Sequence, residues 1–183
     1  MAKLIYLILA SLDGYVADER GNFEWAAPDE EVHQFINDIV RPVGVHLYGR
    51  RMYETMEGWE TMDTADQPPA VSDFAAMWRP AEKIVYSKAL KTVTTERTRI
   101  VREFDADEIR DLKAGGTDML VGGPTLAAQA IRAGLVDSYH LFIVSTLVGG
   151  GLRAFPNAPR LDLALREQRR FGSGTVYLHY TPG

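Results

Sequence analysis

The sequence predicts a doubly wound, mostly parallel α/β sheet with an antiparallel carboxyl-terminal edge, and three observations carry that prediction. Short apolar runs alternate with stretches whose apolar residues recur at helical spacing. Two of those runs stop at glycine and restart at once as helices, at Tyr48-Gly49-Arg50 and at Val121-Gly122-Gly123-Pro124. The region from Leu161 to Tyr180 holds strand patterns alone, split by Gly172-Ser173-Gly174, which is the pattern of an antiparallel hairpin.

Taken in order, Lys3 to Leu9 is nearly continuous in apolar residues and suits a central strand buried on both faces. Ser11 to Gly14 turns the chain, Tyr15 to Ala17 is a short extended segment, and Asp18 to Gly21 is a second turn. A helix follows to about Val40, with Val32, Phe35, Ile36 and Ile39 on one face and acidic residues in its first turn; His33 is expected to face solvent. Val43 to Tyr48 is the second core strand. Residues 57–70 read as loop, Ser72 to Trp78 as a short helix, and Glu82 to Tyr86 as a strand ending at Ser87-Lys88. Thr98 to Val101 is a further strand, and Asp105 to Ala114 a helix stopped by Gly115-Gly116. Met119 to Val121 leads through the glycine pair into a helix over Thr125 to Ala133, with Pro124 at its first position. Ser138 to Val144 is a strand, and Leu147 to Gly151 a glycine-rich loop.

The 183 residues suffice for one domain over 1–183 with a substantial core, and the charged share of 25% is ordinary for a soluble protein. A net charge of -5 argues against binding nucleic acid over a broad surface. Without cysteine, disulfides, thiolate metal sites and cysteine nucleophiles are excluded. The four histidines are far apart in sequence, so no metal site is expected. Met1 to Ser11 has the look of a secretory signal, but it runs straight into the first turn and is the only candidate for the first core strand. The expectation is a cytoplasmic protein with no membrane partner.

In open α/β sheets, ligands bind beyond the carboxyl ends of the strands. Gly49-Arg50-Arg51, Ser87-Lys88 and Gly122-Gly123-Pro124-Thr125 all stand at such ends, and together they suit a polyanion. Two helix N-termini would clasp a pyrophosphate, while Arg50 or Arg51, with Ser87 and Lys88, would meet a further phosphate on a ribose. A dinucleotide with that phosphate is NADPH. Neither a Walker A lysine motif nor G-x-G-x-x-G occurs.

Ser11-Leu12-Asp13-Gly14-Tyr15-Val16-Ala17, Leu47 to Glu54, Val85-Tyr86-Ser87-Lys88 and Val121-Gly122-Gly123-Pro124 resemble the dihydrofolate reductase-like superfamily. Within it, they resemble the single-domain relatives of the reductase domain of the bacterial riboflavin-biosynthesis deaminase-reductase. The resemblance covers nearly the whole chain. It implies a three-layer sandwich around an eight-stranded, mostly parallel sheet, with NADPH across the strand ends, a small-molecule substrate and a homodimer. Gly49 and Arg50 match the family's glycine-arginine step, Ser87 the serine facing the ribose phosphate, and Gly122 to Thr125 the pyrophosphate turn. Met52 departs from the threonine of many relatives. The resemblance is to the reductase half only, since the Pro-Cys-x-x-Cys of the zinc deaminase does not occur in this sequence.

On the substrate side, Asp13 matches an aspartate near substrate and nicotinamide and is a candidate for orientation or proton relay; its alternative is a turn carboxylate. Glu30 stands where true dihydrofolate reductases carry their pterin-binding carboxylate, or is merely a first-turn acid. Trp25 and Tyr53, with Trp59, are candidates to wall a pocket for a flat heterocycle, although aromatics there also suit packing. The function implied is an NADPH-dependent reductase of a small heterocyclic or carbonyl substrate. Dihydrofolate reductase activity, a non-catalytic nucleotide-binding protein, and phosphate binding without nicotinamide are the alternatives.

Overall fold

The structure, a computed structural model, describes residues 2–183. Its strands are β1 (Leu4–Ser11), β2 (Tyr15–Ala17), β3 (Val43–Gly49), β4 (Glu82–Tyr86), β5 (Thr98–Val101), β6 (Asp118–Gly122), β7 (Ser138–Val144), β8 (Leu152–Arg153), β9 (Leu163–Arg170) and β10 (Val176–Pro182). Its α-helices are α1 (Glu30–Val40), α2 (Arg50–Met56), α3 (Pro69–Trp78), α4 (Ala106–Ala114) and α5 (Pro124–Arg132). Eight strands form one sheet in the order β5-β4-β3-β6-β1-β7-β10-β9, and β2 pairs with β8 as a separate ribbon. The first six strands of that order run parallel, and β10 is antiparallel to both β7 and β9.

Alternation along the strands divides the core into two layers. Leu4 and Tyr6 of β1, Leu47 of β3 and Val121 of β6 face Ile109 of α4 and Leu126, Ala127 and Ile131 of α5. On the other side, Ile5, Tyr48 and Val85 meet Val32 and Ile36 of α1, Tyr53 of α2 and Phe74 and Trp78 of α3. This is the expected three-layer sandwich. Each fully buried large apolar side chain contributes about 1.5–3 kcal/mol, so both layers are needed to hold a sheet this wide.

Two expectations need correction. Residues 57–70 are not simply loop: Glu57–Glu60 is a 3-10 helix, and α3 starts at Pro69, three residues before Ser72. Proline presets the backbone angle of a first helical turn, and it extends the helix toward its amino end. His33 does not face solvent. It packs against Trp59 and Phe74, at ring distances of 6.3 and 5.9 Å, and burial lowers its pKa. The 57–60 turn is fastened from below by fully buried Lys83, whose ammonium lies 4.2 Å from the centre of the Trp78 ring, donates to the Arg79 carbonyl at 3.0 Å and faces Glu60 at 3.8 Å.

Candidate active site

Strand register decides which sequence segments meet at the carboxyl edge. Tyr48 of β3 pairs with Gly122 of β6, and Gly49 pairs with Tyr86 of β4. Gly123, Gly49 and Ser87 therefore fall within one residue of a common line across three adjacent strands. α2 starts directly after Gly49 and α5 directly after Gly123, one on each face of the sheet.

Those two helices differ from the other three in their caps. Asp29 accepts from the Val32 amide at the start of α1, Asp105 from the Asp107 amide at the start of α4, and Glu30 from the Ala70 amide in the first turn of α3. Among the described residues, no side chain accepts from the first-turn amides of α2 or α5. Helix N-termini ordinarily find acceptors, from side chains, water or a ligand. The two that lack a protein acceptor are neighbours at the sheet edge.

The three glycines of the line have different causes. A Cβ on Gly122 would stand 2.8 Å from the Tyr48 ring, so close packing requires glycine there. Gly123 has φ +87, in the left-handed region that side chains avoid. Gly49 has ordinary extended angles, and a Cβ on it would meet nothing within 4 Å. Neither backbone nor packing asks for glycine at Gly49, and the space above it is open.

Cations rim this line. Arg50 and Arg51 are exposed, with Arg50 3.4 Å from Glu54 one turn along α2. Lys88 is 77% exposed and pairs with Glu103 at 2.8 Å. Both pairs are surface contacts of the kind worth about 1 kcal/mol or less, weak enough for a doubly charged phosphate to displace. The Ser87 hydroxyl accepts from the Leu90 amide at 3.0 Å and shapes the turn after β4, keeping its proton free to donate. Pro124 is buried at the first position of α5, and Thr125 beside it is exposed. Met52 lies against the glycine turn, its Cγ 3.2 Å from where a Gly122 Cβ would be.

Beyond the glycine line, β1 runs on after β6 has stopped. The two pair only at Leu4 to Tyr6, whereas β1 stays paired with β7 through Ser11. The β6-facing edge of β1 past Tyr6 therefore has no strand partner, and Leu7, Ile8 and Leu9 there are half-buried. The free edge lies where the strand order reverses, with Asp13 past its far end. The Asp13 carboxylate accepts from the Ser11 hydroxyl at 2.6 Å and from the amides of Val148 and Gly149 at 3.1 and 2.7 Å. The Ser11 bond first, and then the amides, lower its pKa to about 2. So held, the carboxylate is tied to its own turn and to the loop after β7.

The structure departs from two further site expectations. Glu30, a candidate for the substrate side or merely a first-turn acid, has its Oε1 accepting from the Ala70 amide at 2.9 Å, so it caps α3. Tyr53 does not wall a pocket. It is buried, and its hydroxyl takes the amides of Thr94 and Thr95 at 2.9 and 3.3 Å. The cause is helical periodicity: three residues past Arg50, Tyr53 turns inward onto β4. Trp25 is half-buried and donates its ring N–H to the Asn22 carbonyl at 3.0 Å.

One residue of the rim was not anticipated. Arg102 follows β5 directly and donates to the carbonyls of Ser87 and Leu90 at 3.0 and 2.6 Å, bracing the Ser87 turn. The strand-end rule that picked out Arg50 and Lys88 points to it as well, because Tyr86 pairs with Val101.

The fold defines a class, the dihydrofolate reductase-like α/β proteins. The RibD C-terminal domain family matches residues 2–177, and the chain belongs to that family. It is 24% identical over 182 residues to the uncharacterized protein YyaP of Bacillus subtilis, covering 97% of this chain and 94% of that one. Among solved structures, a putative riboflavin biosynthesis protein from Shewanella sp. PV-4 superposes with a TM-score of 0.77 at 21% identity, over 100% of this chain and 99% of that chain. RibD of Acinetobacter baumannii gives 0.73 at 16% identity, with 100% of this chain covering 58% of that one. Fold and family support a reductase-like role.

Proposed function

We propose that this protein is an NADPH-dependent reductase that transfers a hydride to a small heterocyclic or carbonyl substrate. The carrying observation is the pair of uncapped neighbouring helix N-termini with a bare Gly49 between open space and the backbone. A pyrophosphate against Gly49, Gly123 and the first turn of α5 would supply the missing acceptors and meet the positive end of a nine-residue helix. Arg50, Arg51, Ser87 and Lys88, braced by Arg102, would take the ribose 2′-phosphate. When bound, NADPH supplies the hydride. The chain's part is to seat the nicotinamide along the free edge of β1, where half-buried Leu7, Ile8 and Leu9 exclude water, and to orient the substrate beside Asp13.

The substrate class comes from family likeness. One structural neighbour, from Thermotoga maritima, is described as a diaminohydroxyphosphoribosylaminopyrimidine deaminase/5-amino-6-(5-phosphoribosylamino)uracil reductase, and this chain covers 57% of it. A substrate like that pyrimidine is our first choice. Dihydrofolate is no longer favoured, because Glu30 is committed to α3. A homodimer is part of the proposal: the edge strand β9 keeps Leu163 and Leu165 38% and 49% exposed, a face that a second copy would cover. We place the protein in the cytoplasm, with the NADPH pool; no helix among the described residues is long and apolar enough to cross a membrane.

The test is turnover. Purified protein with NADPH should lose nicotinamide absorbance on addition of an aminouracil ribitol substrate, and substitution of Arg50 and Arg51 together by alanine should raise the KM for NADPH by about tenfold or more, the effect of one lost charge-assisted contact. NADPH binding without turnover on any heterocyclic or carbonyl substrate would leave a nucleotide-binding protein and end the reductase reading.

A further inference from the structure

The Leu147 to Gly151 loop is held in an unusual way. Residues 11–19 and 146–154 run side by side: the Leu12 amide donates to the Thr146 carbonyl at 2.8 Å, β2 pairs with β8, and the Ala154 amide donates to the Gly14 carbonyl at 2.9 Å. At the base of the loop, Gly151 has φ +121, and a Cβ there would stand 2.2 Å from the Ala17 carbonyl oxygen. Glycine is thus required by backbone contact within the chain. At the tip, a Cβ on Gly150 would meet only the Glu19 side chain, at 2.7 Å, and one on Gly149 would meet nothing within 4 Å. Leu12 and Leu147, which flank it, are 67% and 72% exposed, so apolar burial does little to fix it.

The side chain that hydrogen-bonds the tip is Asp13. Its Oδ1 takes the Ser11 hydroxyl and the Val148 amide, and its Oδ2 takes the Gly149 amide, the shortest of the amide contacts at 2.7 Å. Charge-assisted bonds of this kind are roughly twice as strong as neutral ones. They join the turn after β1 to the loop after β7, and those two strands are neighbours through Ser11 and Val144.

We propose that Asp13 is a positioning residue: its carboxylate holds the 147–151 loop across the ends of β1 and β7, and through that loop it sets the wall of the site at the nicotinamide end. The proposal rests on the reductase reading given above. It assigns to Asp13 an effect confined to the β1 end of the site, leaving the phosphate end, at β6, β3 and β4, untouched.

Backbone amide exchange over residues 146–151 in wild type, Asp13→Ala and Asp13→Asn, with titration of each by NADPH and by adenosine 2′,5′-bisphosphate, tests it. The second probe carries the ribose phosphate without the nicotinamide. Asp13→Ala should speed exchange at Val148 and Gly149 by about tenfold or more while β1 and β7 stay protected, and should weaken NADPH by a similar factor with the bisphosphate unchanged. Asp13→Asn, which keeps one acceptor oxygen, should fall between. Unchanged loop exchange in Asp13→Ala, or equal weakening of both probes, overturns the positioning role while the reductase reading stands. Failure of the wild type to bind either probe overturns the reductase reading and the positioning role with it.

Discussion

Gly49 and Gly122 are the same residue type for opposite reasons, and this gives a paired prediction. At Gly122, an added methyl would press on the Tyr48 ring at 2.8 Å, inside a buried layer. Gly122→Ala should destabilise the fold by about 1–3 kcal/mol, the usual cost of overpacking, measured by urea unfolding. At Gly49 the methyl meets nothing, so Gly49→Ala should leave stability within about 1 kcal/mol and yet weaken NADPH. Equal stability losses at the two positions would contradict this assignment. Tyr53→Phe should cost about 1–3 kcal/mol by leaving the Thr94 and Thr95 amides short of an acceptor, with no change in NADPH affinity. The glycines and arginines were legible in the sequence because strand ends are marked by a change of periodicity. Tyr53 and Glu30 were not, since which way a side chain points and which amide it finds depend on a partner element distant in sequence.

Helices and strands were legible nearly to the residue wherever the sequence carried its own punctuation. β4, β5 and β7 lie where their apolar runs placed them, and Gly115 follows the helix it was expected to stop. The start of α3 was missed because proline at a first turn reads as loop when it stands among Asp63, Asp66 and Gly58. The capping pattern was legible only in part. Asp29 and Asp105 cap from the position just before their helices, but Glu30 caps α3 across forty residues of sequence. Glu30→Ala should therefore lower stability by about 0.5–2 kcal/mol, the range for a lost cap, without affecting turnover. A loss of turnover at unchanged stability would restore Glu30 to the substrate side.

At the scale of the whole molecule, strand order and register lay beyond single-sequence reading, because no local pattern states which strand is whose neighbour. Register brings His140 and His179 opposite each other on β7 and β10, with rings stacked at 4.3 Å and both Nε2 atoms on the Ser138 hydroxyl at 2.7 and 2.8 Å. Tyr177 holds the other nitrogen of His140 at 2.7 Å; Lys3, Arg166 and Glu167 supply the nearby charges. Burial first, then the neighbouring His179, pushes His140 down to about 3, and burial does the same to His46, with Lys83 adding to it. A histidine whose folded pKa lies below its unfolded value binds fewer protons folded than unfolded between the two. Stability contributed by His46 and His140 is therefore full above about 6.5 and is lost as pH falls toward 3, on the order of 1 kcal/mol per pH unit for each. Asp13 and Asp73, both lowered, add losses in the same direction only below their ordinary value of 3.8. Urea unfolding between pH 7 and about 4 should show a steady fall, and a flat profile would mean that these histidines are not buried neutral.

The measurement closest to the central claim is a parallel titration of the purified wild-type protein with NADPH and NADH, followed by nicotinamide fluorescence. A seat made of Gly49, Gly123 and the α5 N-terminus, rimmed by Arg50, Arg51, Ser87 and Lys88, predicts saturable binding of both, with NADPH tighter by about tenfold or more for the extra phosphate. Equal affinities would remove the ribose-phosphate role of the cationic rim, and no binding of either would contradict the seat itself.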